Sequence, residues 1–385
     1  MLEKALIGDK KYWSWILFLM AVMAVGFFFY LRQLTYGLGI TGLSRDVTWG
    51  FYIAQFTFLV GVAASAVMVV LPYYLHNFKI FGKSTILGEF LAISAVTMCM
   101  LFILIDLGQP MRALNMVLHP SPKSVLFWDM IVLNGYLLLN VVISHVTLDA
   151  ERKSIAPPSW IKPVIILSIP WAISIHTVTA FIYSGLGSRP FWFTAILTPR
   201  FLASAFASGP ALLILLVFII KKLTKYDPGR EPVQKLAVIV TYAMALNIFF
   251  VLLEVFTAFY SGNPEHMTSF QYLFVGLDHH SRLVPWIWTS VILGIGALVL
   301  LINPRTRKND ILLIMACLSV FISIWIDKGI GMVVAGFIPS PLGHITEYWP
   351  TLPESLITLS IYAFGLLLVT IFYKIALSVR EETSA

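Results

Sequence analysis

The sequence IDLGQPMRALNMVLHPSP, at residues 105–122, is a polar stretch between two long apolar runs. Asp106 closes the first run, a Gly-x-Pro break follows directly, and Arg112 comes soon after it. Apolar runs long enough to cross a bilayer, separated by helix-breaking residues, predict two membrane helices whose connecting loop lies where the lipid ends. Asp106 and Arg112 therefore form either a polar site at the membrane boundary or an ion pair that only fixes the loop.

The composition of the whole chain places this hairpin in a membrane protein. Of the 385 residues, 59% are hydrophobic and only 12% are charged, and the mean hydropathy is +0.87. A soluble core of this size would need far less apolar surface. The formal charge of +7 falls in short connections between apolar runs. We interpret it as a topology signal and expect no nucleic-acid partner.

Ten apolar runs, each near the length of a membrane span, predict an all-α polytopic membrane protein. The first run lacks a small-residue cleavage site, so we expect it to remain as a helix. Most Lys and Arg residues lie in the N-terminus, the even-numbered connections and the C-terminal tail. The positive-inside rule then places both termini in the cytoplasm and the chain in the cytoplasmic membrane. The runs cover residues 12–34, 50–75, 85–106, 124–147, 161–183, 200–222, 233–260, 283–303, 310–327 and 355–377.

Several polar residues fall inside these runs, where an ionisable group is costly enough to suggest a function. The candidates for proton connections are Glu89, Asn134, His145 and Glu254. Polar groups along a helix can equally hold helices together, and the side chain of Glu89 can reach toward the interface. The amide of Gln55 in the second run is open to the same interpretation, because a buried amide can bridge two helices.

The connection after the fifth run combines basic and aromatic residues. Arg189 and Arg200 flank an aromatic cluster that includes Trp192. Trp and Tyr are enriched at membrane interfaces in general, so the aromatic residues alone do not indicate a site. Proline and glycine early in the sixth run predict a kinked or interrupted helix. Such breaks are tolerated at membrane depth where protein or a polar cavity satisfies the freed backbone groups, so we expect a site nearby.

The residues needed to hold a redox centre are missing. The two cysteines, Cys99 and Cys317, each lie inside an apolar run, and there is no C-x-x-C sequence. We therefore expect this chain alone to hold neither an iron–sulfur cluster nor haem. The adjacent His279 and His280 indicate a metal only weakly without further ligands, and no metal site is predicted. Any electron transfer here requires a diffusible carrier and a partner protein.

Four segments of the chain carry a resemblance to a known family. They are Trp49-Gly50, Asp106-Leu107-Gly108-Gln109-Pro110-x-Arg112, the stretch from His176 through Ser188-Arg189-Pro190-Phe191-Trp192 to Gly209, and Tyr348-x-Pro350-Thr351-x-x-Glu354. Together they resemble the NrfD/PsrC family of membrane quinone-interacting subunits over most of the chain. The ten-helix form is most similar to the branch that contains the DsrP subunit of the DsrMKJOP complex of sulfur metabolism.

The resemblance implies a fold, a cofactor and partners. The fold is two four-helix bundles, helices 2–5 within residues 49–183 and helices 6–9 within 199–330, with helix 1 and the segment 331–385 beside them. Such subunits carry no haem or iron–sulfur cluster and bind menaquinone near the outer face. They dock a periplasmic ferredoxin-like iron–sulfur subunit there, and a multihaem cytochrome c with other membrane and cytoplasmic subunits completes the complex.

The same resemblance implies roles for individual residues. Asp106 and His176 would act in catalysis by supplying or accepting protons. Arg189 and Trp192 would form the rim of the pocket or the surface for the partner. The residues expected to bind the quinone or border its pocket are Asp106, Arg112, His176, Gln55, Arg189 and Trp192.

The expected function is electron exchange between menaquinone or menaquinol and the iron–sulfur partner, within a complex outside which this chain is not catalytic. Broken helices and intramembrane acids also serve secondary transporters and ion channels. A purely structural anchor for the partner is a third alternative. A co-purifying ferredoxin-like protein argues against a transporter, and a bound quinone argues against a mere anchor.

Overall fold

The computed structural model describes residues 2–63, 65–75, 81–224 and 226–384. Over these residues the chain is helical without a β-strand, and ten helices are long and apolar enough to cross a membrane. The all-helical fold predicted from the sequence is confirmed. The helices are α1 (Lys10–Ile40), α2 (Phe51–Leu71), α3 (Thr85–Asp106), α4 (Val125–Arg152), α5 (Ile161–Ser184), α6 (Leu197–Leu223), α7 (Arg230–Tyr260), α8 (Val284–Ile302), α9 (Asp310–Ala335) and α10 (Leu352–Arg380).

Short polar signals mark where some of these helices begin. Asp9 precedes α1, and its carboxylate accepts a hydrogen bond of 2.8 Å from the backbone N–H of Tyr12. Asn309 precedes α9 and accepts from the backbone N–H groups of Ile311 at 3.0 Å and Leu312 at 3.2 Å. The caps satisfy N–H groups that have no partner within the helix, and so they fix where each helix begins.

The sixth helix is continuous where the sequence suggested a break. It runs through Pro210, so the interruption considered for this segment does not occur. The preceding glycine serves close packing, because a Cβ at Gly209 would lie 2.9 Å from the backbone nitrogen of Ser65. Small residues allow two membrane helices to approach in this way. The contact brings α6 against α2.

The helices pack as two groups of four with a shared boundary. In the first group α2, α3, α4 and α5 contact one another, and in the second group α6, α7, α8 and α9 do so. The groups meet mainly where α6 and α9 pack against α2, and where α6 packs against α5. Outside them α1 packs along α10, and α10 lies against α3. Protein therefore covers the first group on two sides, with α6 and α9 on one side and α10 on another.

The connections after the odd-numbered helices meet at one end of the molecule, which we call the Trp49 end. There the hydroxyl of Thr346 donates to Asp46 at 2.9 Å, and that of Ser269 donates to the carbonyl of Ile338 at 2.8 Å. At the opposite end, Arg380 donates to Glu151 at 2.7 Å. The two ends therefore differ in the segments that they bring together.

Candidate functional site

A cavity of about 510 Å³ lies among α2, α3, α4 and α5, close to the Trp49 end. Aliphatic, aromatic and methionine side chains form most of its wall. The polar side chains that line it are Thr97, Asp106, Asp129, Asn134 and Tyr183. A mostly apolar cavity with a few polar groups at defined places is the usual form of a small-molecule site.

Two carboxyl groups face this cavity from different helices. Asp106 ends α3, and its Oδ1 atom is buried without a hydrogen-bond partner among the described residues. Asp129 lies on α4 and is 3% exposed. Its Oδ1 atom accepts a hydrogen bond of 2.8 Å from the hydroxyl of Thr179. A buried polar atom without a partner is costly, and a ligand with a hydroxyl or carbonyl group would satisfy it.

Aromatic rings close the cavity toward the Trp49 end. The rings of Trp49 and Tyr183 line it, and their centroids lie 5.5 Å apart in an edge-to-face arrangement. Trp192 lies behind both rings. It stacks on Trp49 at 5.8 Å, and its indole N–H donates to the carbonyl of Met332 at 2.9 Å. The hydroxyl groups of Tyr183 and Thr57 lie 2.5 Å apart. These contacts fix the rings of Trp49 and Tyr183, which we call the aromatic roof of the cavity.

Between α3 and α4 the cavity wall reaches the surface of the molecule. Leu104 on α3 and Leu126 on α4 line the cavity, and both are exposed apolar residues. Asn134, also in the wall, is exposed and donates to the carbonyl of Met130 at 2.8 Å. In a chain whose helices span a membrane, exposed leucines face the acyl chains. The gap between α3 and α4 is thus a route for an apolar molecule from the bilayer.

The structure separates Arg112 from Asp106. Residues Pro110–Leu114 form a short 3₁₀ turn, which carries the Arg112 side chain to the exposed surface. Among the described residues Arg112 makes no ion pair with Asp106, and it does not line the cavity. The ion pair considered from the sequence is therefore absent. Hydropathy alone does not indicate this turn.

His176 also lies away from the cavity. It is fully buried on α5, and neither ring nitrogen has a hydrogen-bond partner among the described residues. It precedes the cavity-lining Tyr183 by two helical turns, about 10 Å along the helix axis. His176 is instead close enough to Lys328 of α9 to interact with it electrostatically. It belongs to the boundary between the two helix groups.

Gln55, Arg189 and Trp192 support the surroundings of the cavity without lining it. The Gln55 side-chain oxygen accepts from the indole of Trp325 at 2.7 Å and from the hydroxyl of Tyr362 at 2.6 Å. It therefore bridges α2, α9 and α10. Arg189 donates to the carbonyl of Phe337 at 3.3 Å and lies 4.6 Å from that ring's centroid. Partial burial lowers the pKa of Arg189.

The residues expected to connect protons in α3 and α4 do not form one line. Glu89 is buried, and its Oε2 atom has no hydrogen-bond partner among the described residues. Asn134 borders the cavity, whereas His145 is exposed on the outside of α4. Glu89, Asn134 and His145 were grouped by their positions along α3 and α4. Their side chains do not come together, because they point in different directions around these helices.

The fourth of these residues, Glu254, belongs to an ionic cluster in the second helix group. Arg200 lies 2.5 Å from Glu254 and 2.8 Å from Asp327. Asp327 and Lys328 lie in a π-helical segment, Trp325–Gly331. Lys328 is 2% exposed, and its ammonium group lies 4.1 Å from the centroid of the Phe201 ring. A π-helical turn is rare and frequently marks a functional position.

Two of the polar residues that line the cavity, Asp129 and Tyr183, were expected neither to bind the quinone nor to carry protons. Asp129 was visible in the sequence as an acid just inside the fourth run, next to Phe127 and Trp128, where it could be taken for part of an interfacial belt. Tyr183, near the end of α5, lies within the stretch that carries the family resemblance, but no role was assigned to it. Among the described residues no group of three or more His, Cys, Asp and Glu side chains is placed to hold a metal ion.

Comparison with known proteins gives the chain a family. The model of the family described as polysulphide reductase, NrfD, matches residues 39–334. A relative from Archaeoglobus fulgidus, named Hdr-like menaquinol oxidoreductase integral membrane subunit, is 25% identical over 79% of this chain and 74% of its own length. A relative from Nitratidesulfovibrio vulgaris, named menaquinone reductase, integral membrane subunit, is 23% identical over 95% of this chain and 91% of its own.

A third relative, from Halobacterium salinarum, is named as a putative membrane subunit of dimethyl sulfoxide reductase. It is 24% identical over 93% of this chain and 89% of its own length. The family match runs from the connection before α2 to the end of α9 and covers more than half of the chain. This multi-pass membrane protein therefore belongs to the NrfD family.

Proposed function

We propose that this chain is the membrane subunit of an oxidoreductase complex and exchanges electrons between menaquinone or menaquinol and an iron–sulfur partner. The observation that carries the proposal is the cavity of about 510 Å³, which opens between α3 and α4 and holds the unpartnered Oδ1 atom of Asp106. The names of two relatives, a menaquinol oxidoreductase subunit and a menaquinone reductase subunit, support the same carrier.

The residues of the cavity fit a quinone in both of its parts. A quinone has oxygen atoms on its ring and a long apolar tail. Asp106 and Asp129 offer carboxyl groups toward the ring oxygens. The exposed leucines at the gap between α3 and α4 suit a tail that remains in the lipid. Apolar lining with few convergent polar groups is typical of such ligand sites.

The side chains of the cavity perform the proton chemistry. Menaquinone, when bound, supplies the two-electron and two-proton chemistry. Asp106 gives or takes a proton at the loop end of the cavity, because its Oδ1 atom is free to contact the ligand. Asp129 is oriented by Thr179 and acts as a second proton acceptor. The apolar wall excludes water, so protons move through these carboxyl groups.

The buried residues outside the cavity have supporting roles in this proposal. Glu89 and His176 carry polar atoms without partners and lie deeper along α3 and α5, where they can pass protons from the opposite end. Trp192 holds the aromatic roof through Trp49. Gln55, which joins three helices, maintains the shape of the first group.

The Trp49 end faces the periplasm, and both termini lie in the cytoplasm of a cell that carries this chain in its cytoplasmic membrane. The basic connections support this orientation, because positive residues favour the cytoplasmic side. We expect Thr224→Cys to react with a membrane-impermeant maleimide only in inverted vesicles and Ser121→Cys only in intact cells. The reverse pattern would contradict the orientation and place the cavity on the cytoplasmic side.

The partner that accepts or donates electrons docks at the Trp49 end, above the aromatic roof. The short distance from the cavity to this end favours a periplasmic ferredoxin-like iron–sulfur subunit. A multihaem cytochrome c and cytoplasmic subunits would complete an assembly like the DsrMKJOP complex of sulfur metabolism. Subunit identification after purification of the native complex tests this assignment.

Photolabelling tests the cavity directly. An azido-quinone added to the purified complex should label peptides of α3 and α4, and excess menaquinone should suppress the labelling. Extraction of the same complex should release quinone. Labelling confined to α6–α9, or a complex that neither contains nor binds quinone, would contradict the proposal.

A further inference from the structure

A buried carboxyl group at the beginning of α10 is close enough to Asp106 of the cavity to interact with it electrostatically, and it has no place in the function described so far. Glu354 is 0% exposed. Its Oε2 atom accepts hydrogen bonds from the backbone N–H groups of Gly42 at 3.0 Å and Thr351 at 3.3 Å. Its Oε1 atom accepts a short hydrogen bond from the hydroxyl of Tyr348. Among the described residues no cation pairs with it, so this carboxyl group is held by neutral donors alone.

Part of this arrangement is ordinary helix capping. Thr351 and Glu354 form a capping box at the start of α10, because the backbone N–H of Glu354 also donates to the Thr351 hydroxyl at 3.4 Å. Capping accounts for the Oε2 atom. It explains neither the hydrogen bond to the Oε1 atom nor the complete burial of the carboxyl group, because a helix cap can equally be exposed to solvent. Burial and the adjacent Glu354 raise the pKa of Tyr348, which therefore remains a donor.

Glu354 and Asp106 form one electrostatic unit. The two carboxyl groups are close enough to repel each other electrostatically, and Tyr52 of α2 lies in the field of both. The backbone N–H of Phe51, next to Tyr52, donates to the hydroxyl of Tyr348 at 2.7 Å, which ties the Glu354 side to α2. Like charges at short range in a poorly solvated place favour a shared proton over two ionised groups. The titratable groups around Glu354 are thus Tyr30, Tyr52, Asp106 and Tyr348, from α1, α2, α3 and the last outer connection.

Hydrogen bonds fix the interior side of this unit. The hydroxyl of Tyr52 donates to the Gln33 side-chain oxygen at 2.8 Å, and the Gln33 amide donates to the carbonyl of Ile105 at 2.7 Å. Ile105 directly precedes Asp106. The end of α3 is therefore tied to α1 and α2 next to the position of Glu354. On the other side, Tyr348, which donates to Glu354, directly precedes the exposed Trp349 in the chain.

We propose that Glu354 is a positioning and proton-carrying residue that links Asp106 of the quinone site to the aqueous phase at the Trp49 end. This inference rests on the proposed function. In quinol oxidation Asp106 takes a proton from a ring hydroxyl, Glu354 takes it from Asp106, and water at the Trp49 end receives it. The two electrons pass one after the other to the iron–sulfur partner, and Asp129, the second proton acceptor of the cavity, takes the second proton. Quinone reduction reverses each step.

The substitution Glu354→Gln tests the inference in the assembled complex. Gln preserves the capping box, because its side-chain oxygen still accepts from the backbone. It cannot carry a proton. We expect quinone-linked turnover to fall about 100-fold or more, as for loss of a proton-transfer group, with unchanged quinone affinity. The protonated-carboxyl band in redox-difference infrared spectra should disappear, which loss of a purely structural contact would not cause.

The matched control is Glu347→Gln, in the same outer connection. Glu347 accepts from the backbone N–H of Arg282 at 2.9 Å and from the hydroxyl of Tyr272 at 3.3 Å. It is not part of the unit around Asp106, so turnover and the infrared band should remain as in the unmodified complex. An equal loss in both variants would overturn the inference, since it would show a general effect of altering this connection.

A second variant keeps the inference testable if Glu354→Gln fails to assemble. Tyr348→Phe retains the carboxyl group and removes its side-chain donor. We expect the acidic limb of the rate–pH profile to move to higher pH, because the carboxylate form loses a hydrogen bond. An unchanged profile in this variant, or normal turnover and an unchanged carboxyl band in Glu354→Gln, overturns the inference while quinone binding still supports the proposed function. A complex without quinone-linked turnover overturns both.

Discussion

The two four-helix groups treat their buried polar residues differently. Around α2–α5, a carboxyl oxygen of Asp106 borders a cavity and has no hydrogen-bond partner among the described residues. Around α6–α9, the guanidinium of Arg200 binds Glu254 at 2.5 Å and Asp327 at 2.8 Å. The same kind of group is unpartnered in the first case and paired in the second.

The difference separates a site that is prepared for a ligand from one that is internally complete. A buried ion is tolerated where an opposite charge and further hydrogen bonds replace its water shell. The cluster of Arg200, Glu254 and Asp327 in the second group meets this condition within the protein. In the first group the Oδ1 atom of Asp106 has no hydrogen-bond partner among the described residues. An incoming molecule with oxygen atoms can supply that partner. Variants that remove one partner should therefore affect stability in the second group and ligand chemistry in the first.

The largest effect should follow from breaking the ionic cluster. Arg200→Met leaves the buried Glu254 and the partly buried Asp327 without their counter-ion. Removal of one partner of a buried ion pair typically destabilises a protein by about 3–5 kcal/mol. We expect a lower thermal midpoint and a low yield of assembled complex, measured by thermal unfolding and size-exclusion chromatography in detergent.

The control for this prediction is an exposed pair at the opposite end. Arg230 lies 3.3 Å from Asp310, and its side chain is 71% exposed. Exposed pairs contribute about 0–1 kcal/mol, so Arg230→Met should leave the thermal midpoint nearly unchanged. Similar losses for both arginines would show that burial does not distinguish them, and the contrast between the helix groups would fail.

A large effect on turnover, without loss of assembly, is expected from Asp106→Asn. The new side chain has the same shape, and no hydrogen bond of the Oδ1 atom is lost among the described residues. Loss of a general acid or base typically slows a reaction about 100-fold or more. Menaquinol-linked turnover should fall by that factor, while electron transfer between the partner's own clusters continues.

Asp149→Asn is the corresponding control, because Asp149 lies at the opposite end and pairs with Arg152 at 2.8 Å and Lys153 at 2.6 Å. It should retain the turnover of the unmodified complex. Normal turnover in Asp106→Asn would show that the carboxyl group only shapes the loop.

The lengths and boundaries of the helices could be predicted from the sequence far better than the exact depth of a single polar side chain. The ten helices and the place of Asp106 at the end of α3 follow from the lengths of the apolar runs and the Gly-x-Pro break. The family resemblance grouped His176 with Asp106 at the quinone site. His176 actually precedes Tyr183 by two turns, about 10 Å, and this difference removes it from the cavity wall.

The sequence also could not show which side chains on different helices contact each other. The partner of Glu254 is Arg200, which lies 54 positions earlier in the chain on the preceding helix, and Arg200 also binds Asp327 on α9. Hydropathy indicates that such a residue needs a partner, but the partner's identity depends on how α6, α7 and α9 pack. The outward position of Arg112 likewise depends on a short 3₁₀ turn with no hydropathy signal.

A moderate effect should follow from filling the cavity. Met130 lies in the cavity wall on α4, and Met130→Trp would place a larger side chain there. Overfilled sites typically lose about 1–3 kcal/mol, which corresponds to about tenfold or more in affinity. Quinone affinity, measured by competition with an azido-quinone, should fall by this amount. The control is Leu138→Trp, since Leu138 is 64% exposed two turns further along α4. Equal affinity in both variants would place the quinone elsewhere.

The smallest effect is expected at His145, which the sequence suggested as a proton connection. The residue lies on α4 but is exposed, whereas Glu89 on the neighbouring helix is buried with an unpartnered Oε2 atom. Surface substitutions generally change free energies by less than about 0.5 kcal/mol, so His145→Ala should keep turnover within about twofold. Glu89→Gln should slow proton delivery more strongly, as a shift in the rate–pH profile would show. A tenfold loss in His145→Ala with an unaffected Glu89→Gln would reverse this assignment, because proton transfer would then follow the exposed face of α4 and not the interior of the first helix group.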